Sequence, residues 1–260
     1  MIFSIIILAL VQGLTEFLPV SSSGHLVLLN KFFGIQNDFL LLSVILHLAT
    51  LFSVVWVLRR EVLEIVKNPF GETTIKLIIS TLPTVVLVLL FKSIVDKSFN
   101  GDFLPICFML TAFLIMVSEW LSKKNGKKYK SITKKTALIM GIAQGIAILP
   151  GISRSGATIC AGLAEGNDRK ETAHYSFLMS IPIICASLVY EVYEYFTSGQ
   201  GLTVLWYELL VGFLVAFITG IFAVKFMLNI VEKHSLVWFS VYLIIISIVS
   251  FFVIWQKNWH

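Results

Sequence analysis

Six long apolar stretches limit the fold of this chain more than any other feature. Hydrophobic residues make up 57% of the chain and charged residues 13%, whereas soluble domains average about 45–50% and about 25%. A helix of about 20 residues crosses the roughly 30 Å hydrocarbon core of a bilayer. We therefore predict an all-α polytopic membrane protein with six transmembrane helices. These spans are predicted at about residues 39–58, 74–91, 104–121, 173–195, 206–227 and 236–256.

Four further apolar stretches are too short to cross the bilayer, and they flank two polar motifs. The motifs are EFLPVSSSGHLVL, residues 16–28, and ILPGISRSGATI, residues 148–159. A helix of about 12 residues rises about 18 Å, a little past the bilayer midplane, so we predict that each motif is the tip of a re-entrant hairpin. Polar backbone at that depth must be walled by protein or line a wet cavity. The short helices are expected at about residues 1–14, 25–34, 136–149 and 156–164.

An internal repeat relates the two motifs. A shift of 132 positions places Gln12-Gly13 on Gln144-Gly145, Ser21 on Ser153, Ser23 on Ser155 and Gly24 on Gly156. We predict a single integral membrane domain, residues 1–260, with repeat one at about 1–125 and repeat two at about 133–260. Because each repeat contains three spans, repeat two is expected to enter the membrane from the opposite side. In such inverted repeats, sites form near the midplane between half-helices.

The distribution of Lys and Arg predicts the orientation in the membrane. Fourteen of the 20 basic residues lie in loops on one side of the predicted spans, and the loop at 122–135 contains seven of them. The positive-inside rule makes this loop cytoplasmic and places both termini outside. The formal charge of +5 therefore indicates orientation and predicts no binding to nucleic acid.

Each motif has the features of an anion-binding site. Pro19 is expected to end the incoming helix of hairpin one, and the serines that follow can cap the outgoing helix. A helix N-terminus with free N–H groups and hydroxyls favours phosphate. Arg154 adds a planar fork of donors that matches phosphate oxygens, and a buried arginine in a membrane indicates function. The residues that these features predict to bind phosphate are Ser21, Ser23, Ser153, Arg154 and Ser155.

The first motif also contains groups for acid–base chemistry. His25 follows Ser22 by three residues, so the two side chains can face the same way at the start of a helix. Serine is a weak nucleophile until a base removes its proton, and histidine is the usual base. A carboxylate can also hold a divalent cation beside phosphate. Glu16 is the strongest candidate ligand, with Gln12 one turn earlier.

Several other polar residues are given structural roles. His47 stands alone in a predicted span, and we interpret it as a packing or hydrogen-bonded core residue. Glu119 and Glu191 lie near span ends, where we expect their carboxylates to reach the membrane interface. Three isolated cysteines show no metal-binding spacing and are interpreted as small packing residues.

The segments QGLTEFLPVSSSGH and LPGISRSGAT resemble the two signature motifs of the bacterial undecaprenyl-diphosphate phosphatase family, also called bacitracin-resistance proteins. The resemblance covers essentially the whole chain, and the length and the number of spans also agree with the family. It implies removal of one phosphate from undecaprenyl diphosphate in the bacterial cytoplasmic (inner) membrane, which regenerates the lipid carrier of cell-wall synthesis. The family's important residues fall on Glu16, Ser22, His25, Ser153, Arg154 and Thr158.

The resemblance and the residues together give an expected mechanism. Ser22 is the predicted nucleophile and His25 its general base, with Arg154 stabilising charge and Glu16 orienting His25 or binding the ion. The resemblance adds Thr158 to the predicted phosphate-binding residues. The family implies stimulation by Mg²⁺ or Ca²⁺. Gln12 departs from members that have glutamate there, which weakens the expectation of a two-carboxylate metal site.

Three alternatives stay open at the level of sequence. A water molecule activated by His25 could replace Ser22 as the nucleophile. An inverted repeat is also typical of transporters, so the chain could be a polyprenyl-phosphate transporter or flippase. A purely structural membrane scaffold would leave the buried Arg154 unexplained. The resemblance implies a lipid substrate in the membrane, and the sequence makes no prediction of oligomeric state.

Overall fold

Helices form nearly all of the described chain. The computed structural model describes residues 2–33, 39–98, 100–124, 130–197 and 204–257, and within these ranges the only β-structure is an isolated bridge between Lys130 and Asn167. Residues 125–129 of the lysine-rich loop 122–135 lie outside the described residues. The helices of the described residues are α1 Ile2–Thr15, α2 Ser22–Phe33, α3 Phe39–Val57, α4 Arg59–Lys67, α5 Glu72–Leu90, α6 Lys92–Ser98, α7 Leu104–Lys124, α8 Lys134–Ile146, α9 Arg154–Ala164, α10 Arg169–Thr197, α11 Trp206–Lys233 and α12 Val237–Lys257.

Six of these helices are long and apolar enough to cross a membrane. They are α3, α5, α7, α10, α11 and α12, which correspond to the six predicted spans. Large apolar side chains on their outer faces are exposed, including Leu90, Val189 and Trp238. Apolar side chains on such a surface require lipid contact. The chain is a multi-pass membrane protein of the predicted all-α class.

The four short helices flank the two motifs as expected. Helices α1 and α2 lie on either side of the first motif loop, and α8 and α9 on either side of the second. Helix α1 packs against α11, and α8 packs against α5. In each case a short helix of one half packs against the middle span of the other half. The depth of the hairpins in the membrane and the inversion of the two repeats stay predictions.

Two further short helices, α4 and α6, occupy segments that the sequence analysis treated as loops. Helix α4 has nine residues and is amphipathic: Val62 and Ile65 pack against the core, while Arg59 and Glu64 are exposed. The three-residue spacing of its apolar side chains is a helical signal. The helix is too short for that signal to be read from hydropathy.

Glu119 is buried, and the expectation that it reaches the membrane interface is wrong. Its side chain is 4% exposed and accepts two hydrogen bonds from the Arg169 guanidinium, at 2.7 and 3.2 Å. Arg169 also donates to the carbonyls of Val231 and His234, and Glu119 accepts from the backbone N–H of Leu236. A buried ion pair is tolerated when additional hydrogen bonds satisfy both partners. This pair joins the ends of α7, α10, α11 and α12.

Candidate active site

The two motif loops contact each other directly. The Gly151 backbone N–H donates to Ser21 Oγ at 3.1 Å, and the Ser155 hydroxyl donates to the Leu18 carbonyl at 2.9 Å. A Cβ atom on Gly24 would lie 2.8 Å from Gly151 Cα, so this approach requires glycine. The motifs are 130 residues apart along the chain at the Ser21–Gly151 bond, yet they form one polar site.

Serine side chains cap the helices that leave the two loops. Ser153 Oγ accepts from the Gly156 N–H at 3.0 Å at the start of α9, and Ser21 Oγ accepts from the Gly24 N–H at 3.3 Å at the start of α2. Ser21 has a φ of 68°, in the left-handed region that few non-glycine residues adopt. Strained residues of this kind persist where surrounding contacts fix them, often at functional sites.

Glu16 is the centre of the site. Its Oε1 accepts from the Arg154 guanidinium, and its Oε2 accepts from the Ser22 hydroxyl and from Gln12 Nε2. The Glu16 side chain is 4% exposed and that of Arg154 is 19% exposed. Burial raises the pKa of Glu16, but the Arg154 charge and the bonds from Ser22 and Gln12 outweigh burial and hold this pKa below its ordinary value. The carboxylate is therefore ionised and links residues of both motifs.

His25 has a partner other than the predicted one. Its Nδ1 lies 2.7 Å from the Ser21 carbonyl and its Nε2 lies 2.8 Å from the Tyr242 hydroxyl. Because a carbonyl only accepts, Nδ1 carries a hydrogen, and Nε2 of the neutral ring accepts from Tyr242. Burial lowers the pKa of His25, which favours this neutral form. The Ser22 hydroxyl is bonded to Glu16, so the predicted Ser22–His25 hydrogen bond is not formed in this arrangement.

Tyr242 is a site residue that the sequence analysis did not identify. It lies on α12, 217 residues after His25, and its ring stacks on the imidazole with centroids 5.8 Å apart. A tyrosine hydroxyl inside an apolar span usually finds a polar partner. This was the only signal in the sequence, and it does not identify the partner.

The predicted phosphate-binding residues divide into two groups. Ser23 and Arg154 are partly exposed beside Ser22. Ser21, Ser153 and Ser155 are buried and join the loops, Ser21 through the Gly151 N–H and the other two through the Leu18 carbonyl. Thr158 is 1% exposed, and its hydroxyl is bonded to Ser176 Oγ at 2.6 Å and to the Arg154 carbonyl at 3.0 Å. Direct phosphate contact by Thr158 stays a prediction, and its observed contacts support the first turn of α9.

Comparison with known proteins identifies the family. Residues 5–249 match the family model of bacitracin resistance protein BacA. The chain belongs to this family. It is 42% identical over 251 residues to the undecaprenyl-diphosphatase of Carboxydothermus hydrogenoformans, with 95% of each chain covered. It is 40% identical to the undecaprenyl-diphosphatase of Halothermothrix orenii, with 95% of this chain and 96% of that protein covered. It is 38% identical to the undecaprenyl-diphosphatase of Christiangramia forsetii, with 96% of this chain and 97% of that protein covered. The resemblance given by the two motifs is confirmed.

The family resemblance implies a divalent cation, and oxygen atoms of Glu16 and Gln12 are its candidate ligands. Gln12 Oε1 is buried without a hydrogen-bond partner in the described part of the chain. Both oxygens of Glu16 are bonded to protein groups, and the described residues contain no group of three or more His, Cys, Asp or Glu side chains that could hold a metal. Mg²⁺ is commonly held by one or two carboxylates together with substrate phosphates. Glu16 and Gln12 fit an ion shared with phosphate oxygens.

Proposed function

We propose that this protein hydrolyses undecaprenyl diphosphate to undecaprenyl phosphate and inorganic phosphate. The observation that carries the proposal is the position of Ser22: its hydroxyl donates to Glu16, and Arg154 from the second motif holds the other oxygen of the same carboxylate. A nucleophile, a proton acceptor and a phosphate-binding cation thus meet in a membrane protein whose relatives are named undecaprenyl-diphosphatase.

The substrate enters between lipid and the contacting motif loops. Its polyprenyl chain stays in the lipid, and its diphosphate lies against Arg154 and the partly exposed hydroxyls of Ser22 and Ser23. Arg154 exchanges its bond to Glu16 for a two-pronged contact with phosphate oxygens. Losing that countercharge increases the proton affinity of Glu16. Glu16 therefore becomes a better base when Ser22 must lose its proton.

The reaction follows two displacements at phosphorus. Ser22 Oγ attacks the terminal phosphorus and its proton passes to Glu16, while the bond from this phosphorus to the bridging oxygen breaks and undecaprenyl phosphate leaves. Water then attacks the phosphorus of the phosphoserine, the bond from this phosphorus to Ser22 Oγ breaks, Oγ takes back the proton from Glu16, and inorganic phosphate leaves. Arg154 stabilises the charge on the transferred group. The geometry supports Glu16 rather than His25 as the base for Ser22. His25 accepts a proton from the water through Nε2 once the Tyr242 hydroxyl has released that nitrogen.

A divalent cation and a cellular location complete the proposal. Mg²⁺ or Ca²⁺ would be held by Gln12, the substrate phosphates and, until Glu16 takes the Ser22 proton, the Glu16 carboxylate, and it would neutralise phosphate charge there. The protein lies in the bacterial cytoplasmic membrane with both termini outside and residues 122–135 in the cytoplasm. There it recycles the lipid carrier for cell-wall synthesis, and removal of the diphosphate form gives resistance to bacitracin, which sequesters that form.

The test is phosphate release from undecaprenyl diphosphate by the purified protein in detergent. We expect multiple turnovers by the wild type and none above background by Ser22→Ala. A transporter or flippase needs a binding site but no reactive serine. Binding of the lipid without phosphate release, with wild type and Ser22→Ala indistinguishable, would contradict hydrolysis and favour transport.

A further inference from the structure

His47, unlike His25, has a carboxylate as its partner. His47 of α3 lies with its Nδ1 3.4 Å from Glu191 Oε1 of α10, and the two side chains are 17% and 18% exposed. The sequence did not predict this pairing of Glu191 with a histidine of another span. Glu191 Oε2 is buried and has no hydrogen-bond partner among the described residues. A charged group placed there at an energetic cost indicates a function.

The contacts of His47 fix the direction of its ring. Nδ1 lies 3.0 Å from the Ser43 carbonyl, which can only accept, so Nδ1 carries a hydrogen. No described residue is bonded to Nε2 of His47. A histidine that only packs in a core normally has its polar atoms satisfied. The ring is therefore held at one nitrogen and open at the other.

His47 lies on a helix that packs against both helices of the first motif. Helix α3 contacts α1, and Leu46, which precedes His47, shares one buried cluster with Leu26 of α2. Nε2 of His25 is engaged by Tyr242, so His47 is the histidine near Glu16 whose second nitrogen is available. Arg154 is the arginine that forms an ion pair with Glu16 in the described site. A diphosphate carries more negative charge than one arginine neutralises.

We propose that His47, as an imidazolium oriented by the Glu191 carboxylate, binds the diphosphate of the substrate by donating a hydrogen bond from its Nε2–H to a phosphate oxygen. This inference rests on the proposed function and adds a substrate-binding residue that lies outside both motifs. Arg154 and His47 then hold the phosphate groups from α9 and from α3. Glu191 is a positioning residue, since it acts through the ring of His47.

The test compares His47→Gln, Glu191→Gln and the double variant in steady-state phosphate release. Hydrogen bonds to charged groups contribute about 1.5–3 kcal/mol, so we expect kcat/KM to fall roughly 10–100-fold in His47→Gln, mostly through KM. Inhibition by inorganic pyrophosphate should weaken by a similar factor. Glu191→Gln should shift both quantities in the same direction, and the double variant should be no worse than His47→Gln because the two residues act as one unit.

A matched control exists elsewhere in the chain. His174 Nδ1 lies 3.5 Å from Glu61 Oε1, and these side chains are 32% and 36% exposed. His174→Gln removes a pair of the same kind at the start of α10 and should leave kcat/KM and pyrophosphate inhibition unchanged.

The outcomes separate this inference from the proposed function. A wild-type protein that releases no phosphate contradicts the proposed function. An active wild type with unchanged kcat/KM and pyrophosphate inhibition in His47→Gln overturns the inference alone. If His47→Gln does not fold in detergent, Glu191→Gln decides, because it retains the imidazole. A folded Glu191→Gln with wild-type pyrophosphate inhibition would also overturn the inference.

Discussion

Replacement of Arg154 by lysine tests whether the two motif loops form one catalytic site. The guanidinium is 19% exposed and bonded to Glu16, whose side chain is 4% exposed. Arg154→Lys keeps a positive charge beside this carboxylate, so the fold should persist. Lysine is a point charge on a flexible stem and cannot present two donors in a fixed plane to phosphate oxygens.

The expected effects on turnover and on stability differ in size. Loss of one fixed donor to transition-state charge lowers kcat about 10²–10³-fold, or about 2.7–4 kcal/mol. Arg154→Lys should therefore lose most activity at saturating substrate while its thermal unfolding in detergent changes little. Arg154→Ala leaves Glu16 as an unpaired buried charge, which costs about 3–5 kcal/mol. That variant should be both inactive and destabilised.

A second buried ion pair supplies the control for this experiment. Arg169 and Glu119 have the same side-chain exposures as Arg154 and Glu16, 19% and 4%. Arg169→Lys loses bonds to a carboxylate and to two carbonyls, so it should lower thermal stability and leave kcat unchanged in the folded fraction. A well-folded Arg154→Lys with wild-type turnover would refute the phosphate-binding role of Arg154.

Three further predictions address the nucleophile, the histidine and the topology. Ser22→Ala should lower kcat by several orders of magnitude and largely retain lipid binding, because a nucleophile acts on the transition state; near-normal phosphate release would favour attack by water. Tyr242→Phe removes one hydrogen bond to His25 of about 0.5–1.5 kcal/mol but keeps the stacked ring, so kcat should fall roughly 2–10-fold; an unchanged kcat would contradict a positioning role. In a cysteine-free background, Asp102→Cys should react with an impermeant reagent in intact cells and Lys124→Cys only after lysis; labelling of both in intact cells would contradict the predicted orientation.

Local sequence patterns were sufficient to predict most helices. Each span is specified by its own composition, and each motif loop by its proline, serine and glycine residues, so neither depends on knowledge of distant contacts. The same local character explains why α4 was missed. Nine residues are fewer than a hydropathy window resolves, and the helix is revealed by Val62 and Ile65 packing on the core.

The hydrogen-bond partner of Ser22 could not be predicted, because it is determined by the shape of the turn before α2. Spacing along a helix favoured His25, three residues later, whereas the structure selects Glu16, six residues earlier. The left-handed Ser21 lies where the chain turns into α2, and the Ser22 hydroxyl meets Glu16 across that turn. Most non-glycine residues avoid this conformation, so serine at this position gave no warning of it.

Partners from distant spans lay beyond local patterns. His47 and Glu191 come from α3 and α10, and Tyr242 comes from α12, and each is a polar residue in a segment that reads as lipid-facing. In a membrane span, a polar side chain predicts a buried contact because lipid offers no hydrogen bond. Its partner is determined by which helices pack together, and α3 packs against α10. The two motifs could therefore be read from the chain, whereas the groups that contact His25 and His47 required the tertiary structure.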